Sequence, residues 1–236
     1  RRHTRLQGDW SSDVCSSDLK QEYMASFTNA GSNIFKEEWI KYGEEPQEGS
    51  YYIAIDLAGF EEVARQAANA KKRLDESAIS VVKVTEDGKW WVKEIVHGRW
   101  DIRETASKIL LAMRDYRPIA VGIERGALKN AVLPYLSDLM RKNNVYSHIV
   151  DLTHGNRKKA DRIIWGLQGR FEHGRIILNQ DGDWDVFLDQ LLLFPSQGVH
   201  DDLPDSLSYL DQLAVTSYFE GDEDEDWQPI DIIAGV

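Results

Sequence analysis

Two short runs constrain this chain more than any bulk property: YYIAIDLAG at Tyr51–Gly59 and IAVGIE at Ile119–Glu124. Both are apolar and β-rich, which reads as strands buried in a sheet, and both carry an acid at the end of the apolar stretch, Asp56 and Glu124. A lone carboxylate inside an apolar core costs several kcal/mol unless it is paired or bound to metal. Placing both acids at the edge of the sheet, aimed into one cleft, removes that cost and makes a site. The blander reading gives each a local task, capping the next segment or pairing with a neighbour such as Arg125.

The text around these runs predicts the rest of the sheet. Ala78–Val84, a turn at Glu86–Gly88 and Trp90–Val96 form, with the first run, an antiparallel meander of three strands. Phe60–Asp75 between them is a short helix or an excursion. Apolar residues recur at helical spacing in Asp101–Tyr116, Asn130–Lys142, Lys158–Glu172, Trp184–Phe194 and Asp202–Tyr218. Strands at Ile119–Glu124, Val145–Val150 and Arg175–Leu178 alternate with them. The expected fold class is α/β: a mixed sheet, meander plus parallel strands, with helices on both faces. Trp90, Trp91 and Trp100 read as core and rim, not as a base-stacking platform.

The third acidic element is HDDLPDSLSYL at His200–Leu210. Asp201 and Asp202 open a helix, where aspartate caps well, and Pro204 suits a first turn. Three aspartates in five residues exceed what one cap needs, however, and Asp202 and Asp205 share a helical face. Joined to Asp56 and Glu124, they form a set of hard oxygen ligands suited to Mg²⁺ or Mn²⁺, and a pair of such ions drives phosphodiester cleavage. By itself this set does not choose nuclease over phosphatase. His200 reads as an ordinary loop histidine or as support for a ligand.

Net charge of −12 disfavours a nucleic-acid partner, but six of the acids fall within Glu220–Asp226 (EGDEDED), a solvated tail. Hydrophobic content of 42% is that of a globular protein. No apolar run approaches the roughly 20 residues of a membrane span, and no secretory h-region follows the opening arginines, so an intracellular protein is expected. The single cysteine, Cys15, excludes an internal disulfide framework and a cysteine-rich zinc site. It lies in DWSSDVCSSDL, Asp9–Leu19, which resembles the conceptual translation of a sequencing adapter. Residues 1–19 are therefore expected to be a non-native leader.

The order of these pieces resembles the C-terminal nuclease domain of the large terminase subunit of tailed bacteriophages. The likeness runs from QEYMASF…IFKEEWI through YYIAIDLA, DESAISVV, RPIAVGIERGALKNAVLP, KKADRI and HGRIIL to LLLFPSQGVHDDLPDSLSYL. It implies a ribonuclease-H-like fold and a two-metal endonuclease that cuts concatemeric viral DNA during packaging. Asp56 would then be the first-strand ligand and Glu124 the acid on the fourth strand. Asp202, with Asp201 close behind, would supply the third position, and Asp205 is a further candidate, since related resolvases use acids three apart on the last helix. Lys158, Lys159 and Arg162 would contact DNA phosphates. Residues 20–49 would be the remnant of an upstream ATPase and its linker, anchored by Phe35, Trp39 and Tyr42; residues 50–219 would be the nuclease, and 220–236 the acidic tail. The resemblance implies double-stranded DNA as partner, portal and small terminase subunit as partners of the full-length protein, the host cytoplasm as location, and no membrane. No GxxxxGK[ST] loop is present, so neither ATP binding nor unaided translocation is expected. Rival expectations are a Holliday-junction-resolvase-like or transposase-like nuclease of the same fold, and a catalytically idle module docking to the portal.

Overall fold

The computed structural model describes residues 34–58, 76–153, 158–196 and 199–219. The expected leader, most of the ATPase remnant, the Phe60–Asp75 segment and the acidic tail lie outside the described residues.

A single 3₁₀ turn at Glu37–Trp39 leads into β1 (Tyr42–Gly43), β2 (Ser50–Asp56), β3 (Ser77–Val84) and β4 (Trp90–Gly98). Then follow α1 (Ile102–Tyr116), β5 (Ala120–Glu124), α2 (Ala127–Asn143) and β6 (His148–Leu152). A continuous helical rod comprises α3 (Lys159–Ile163), a π turn (Ile164–Gln168) and α4 (Gly169–Glu172). The chain continues through β7 (Ile176–Asn179), α5 (Asp185–Leu193), α6 (Asp202–Ser208) and α7 (Leu210–Phe219). The strands form one sheet in the order β1-β7-β4-β3-β2-β5-β6. β2, β3 and β4 are the expected antiparallel meander, while β5 joins β2, β6 joins β5, and β7 joins β4 in parallel.

Side chains alternate along each strand, so the sheet has two apolar faces. Ile53 and Ile55 of β2 and Val121 and Ile123 of β5 meet α1 and α2 on one face. Tyr52, Ala54, Val82 and Leu152 meet the rod, α5, α6 and α7 on the other. Phe35 is 1% exposed and sits edge-on to Phe171, so it does anchor the incoming segment; Trp39 packs beside it, and Tyr42 is exposed. Trp90 and Trp91 are core, and Trp100 lies against it, as expected. Among the described residues no helix is long and apolar enough to cross a membrane.

Several boundaries differ from expectation for identifiable reasons. β6 starts at His148, not Val145, because the Val145 N–H bonds back to the Met140 carbonyl and Asn144 takes the left-handed C-cap, so these residues finish α2. The last helix is two: Ser208 Oγ donates to the Asp205 carbonyl at 2.7 Å, competing with the helical ladder just before the break at Tyr209. The rod carries its π turn where Gly166 passes the Ser208 carbonyl; a Cβ there would lie 3.2 Å from that oxygen, so glycine lets the rod and α6 approach.

Candidate metal centre

Parallel pairing of β2 with β5, in the register Ile55↔Ile123, carries Asp56 and Glu124 side by side to the same edge and the same face. The apolar residues before them fix this: with Ile53 and Ile55 turned to α1 and α2, position 56 must point to the opposite face, toward α6. Asp56 is 9% exposed. Burial, then the hydrogen bond and charge of Glu124, push its carboxyl up to about 8. At neutral pH Asp56 therefore keeps its proton and shares it with Glu124.

α6 crosses above this pair. Its place is set by a 2.5 Å hydrogen bond between Ser206 and Ser80 of β3, and by Gln190 of α5, which accepts the Leu203 N–H at 3.0 Å. Asp202, 4% exposed, thus faces the sheet edge, and its Oδ2 accepts the Glu76 N–H at 3.1 Å. Asp201 occupies the N-cap position, but its side chain makes no capping bond; its Oδ1 lies 2.8 Å from Lys159 Nζ. Lys159 Nζ also lies 3.3 Å from Asp202 Oδ1 and 3.4 Å from Asp205 Oδ2. Burial would lower the Lys159 ammonium's pKa, but Asp205, Asp201 and Asp56 outweigh it and hold the group above the usual lysine value. Asp205 is gripped by both prongs of Arg162, at 2.7 and 2.8 Å, and Arg162 in turn lies 4.5 Å over the Tyr209 ring. Burial pushes the Asp205 carboxyl up while Lys159 and Arg162 pull it back, and the forked geometry is that of an ionised acid.

Of the residues singled out in the sequence, Asp56, Glu124, Asp201, Asp202 and Asp205 therefore gather at one end of the sheet, with Lys159 and Arg162 turned inward among them. Lys158 is exposed. Arg125 turns to Asp151 at 3.4 Å, on the face where Lys129 also pairs with that acid. His200 Nδ1 stands 3.5 Å from Asp202 Oδ2. Two participants escaped the sequence reading. Glu76 supports Asp202 through its backbone, and its carboxylate meets His97 Nδ1 at 2.9 Å. Their signal was available: β3 pairs Ala78 with Asp56 and with His97, so any antiparallel meander brings both residues to this edge.

The donor chemistry fits a hard divalent cation, since Asp56, Glu124 and Asp202 offer oxygen alone and the acid pair retains a proton for want of positive charge nearby. Among the described residues, no three acidic, histidine or cysteine side chains stand close enough together to hold an ion. An ion would need small side-chain movements to be bound.

A sheet of three antiparallel strands flanked by parallel ones, helices on both faces and acids on the ends of β2 and β5, defines the ribonuclease-H-like class. Solved structures agree. A full large terminase from a thermophilic bacteriophage superposes with a TM-score of 0.51 at 10% identity, over 78% of this chain and 44% of that one. The large terminase nuclease from thermophilic phage G20c with bound magnesium gives 0.50 at 15% identity, over 76% of this chain and 96% of that one. This chain thus spans less than half the length of the first protein and nearly all of the G20c nuclease. At such identities the likeness is one of fold, and it falls on the same proteins that the sequence resembles. No protein-family profile and no curated protein matches the sequence.

Proposed function

We propose that this chain is a divalent-metal-dependent endonuclease acting on double-stranded DNA, the nuclease portion of a viral packaging terminase that cuts concatemeric genomes in the host cytoplasm. The observation that carries the reading is the meeting of Asp56 and Glu124, from neighbouring strands, with Asp202 from α6 on one edge of a ribonuclease-H-like sheet. Asp56, Glu124 and Asp202 would hold Mg²⁺ or Mn²⁺, with Asp201 as the adjoining candidate. Asp205 is committed to Arg162. When bound, a pair of such ions supplies an activated water and stabilises the leaving oxygen of a phosphodiester.

The chain's own residues do the rest. The Glu76 N–H and the Ser80–Ser206 bond orient Asp202, and burial keeps bulk water from the floor of the site. Exposed Lys158, at the entrance to α3, is placed to meet a DNA phosphate as the duplex lies across the edge. Portal and small terminase subunit would be partners of the longer protein, which would supply the ATPase.

The test is cleavage of supercoiled plasmid by the purified chain. Nicking and linearisation in Mn²⁺ or Mg²⁺, arrested by EDTA and indifferent to ATP, are expected, with linear duplex cut as readily as a four-way junction. Robust cutting in EDTA contradicts the reading, and a strong preference for the junction moves it to a resolvase.

A further inference from the structure

Lys159 is the residue whose position least suits a DNA contact. Its ammonium points into the carboxylates, 2.8 Å from Asp201, 3.3 Å from Asp202 and 3.4 Å from Asp205. Asp205 already has the rigid fork of Arg162, so the charge of Lys159 serves chiefly Asp201 and Asp202. We propose that Lys159 is an internal counter-cation, which holds Asp201 and Asp202 in the metal-free protein and is displaced when a divalent ion takes Asp202. The inference rests on the metal-centre reading above and adds a competitor to it.

Charge and reach set the competition. Asp202 Oδ2 is engaged by the Glu76 N–H, and Oδ1 faces Lys159, so an ion seeking Asp202 meets the ammonium first. A monovalent and a divalent cation within a few ångströms repel each other strongly in a site this buried. The two basic residues on α3 differ in their freedom to yield. Arg162 has a side chain 9% exposed and two-pronged bonds, whereas that of Lys159 is 39% exposed, on a flexible stem that can swing to solvent. Lys159 thereby keeps the acids gathered before the metal arrives, at the cost of weaker metal binding.

Titration calorimetry with Mn²⁺ alone, without DNA, tests this. Lys159→Met should bind Mn²⁺ at least about tenfold more tightly than the parent chain, or 1.4 kcal/mol. In EDTA it should melt lower, and Mn²⁺ should raise its melting temperature by more than it raises the parent's. Lys159→Arg, which keeps the charge, should show no tightening. Should Lys159→Met not fold, the unaltered chain still decides: an amine-reactive reagent, read by peptide mass spectrometry against Lys158 as control, should label Lys159 faster in Mg²⁺ than in EDTA. Unchanged Mn²⁺ affinity in folded Lys159→Met, or labelling indifferent to Mg²⁺, overturns the proposal. If Asp56→Asn abolishes Mn²⁺ binding in the same series, the metal centre survives that failure; if Asp56→Asn binds normally, the metal centre itself falls.

Discussion

Asp56 and Glu124 announce themselves in the sequence because a single acid interrupts an otherwise apolar strand, and burial leaves such an acid few fates. Lys159 was legible as basic but not as a partner of the acids, since 43 residues separate it from Asp202 and only the tertiary fold joins them. Asp56→Asn should lower cleavage by more than about 100-fold, because losing even a ligand's hydrogen-bond partner costs about 10–100-fold at metal sites; plasmid cleavage rates measure it. The same change bears on stability without metal. Asp56 sits at about 8 when folded against an ordinary 3.8, so its contribution is fully present below about 3.8 and is lost as pH rises through about 8. In EDTA, Asp56→Asn should therefore melt above the parent chain at pH 9, with the gap closing toward pH 4. Melting curves across that range check the sign, and a gap that shrinks with rising pH would contradict the buried acid pair.

Among the elements, the bond between α3 and α6 matters most to the site. Arg162 and Asp205 are 9% and 3% exposed at their side chains, and their forked contact holds the α6 acids over the sheet. Arg162→Met strands a buried carboxylate and should cost about 3–5 kcal/mol. That corresponds to a melting temperature lower by about 10 °C in a chain of this size. Arg162→Met combined with Asp205→Leu should recover most of the loss, since a buried pair is replaceable by apolar side chains. Thermal melts of both variants would show it, and equal losses in the two would mean that Arg162 acts elsewhere. The meander and most helices were readable because their apolar periods are long and unambiguous. The two-residue β1 was not, being too short to show a period, and neither was the break at Tyr209, where Leu207, Leu210 and Leu213 continue a helical pattern through it.

At the scale of the whole molecule, the two-faced sheet explains why the chain reads as α/β, and the acidic edge explains part of its net charge of −12. The remaining excess includes Glu220–Asp226, whose six carboxylates follow α7. Their field opposes a DNA backbone at low salt and is screened over about 10 Å at 0.1 M. Removing residues 220–236 should strengthen non-specific DNA binding most at low ionic strength, and a salt series on both forms tests it; identical curves would assign the tail to docking. The central claim is that the sheet edge is a divalent-metal centre. Anomalous scattering from crystals soaked in Mn²⁺ addresses it most directly. Peaks bonded to Asp56, Glu124 and Asp202 are expected, with Lys159 withdrawn from Asp202. An edge without Mn²⁺ in crystals that bind it elsewhere, Lys159 still seated among the aspartates, would contradict it.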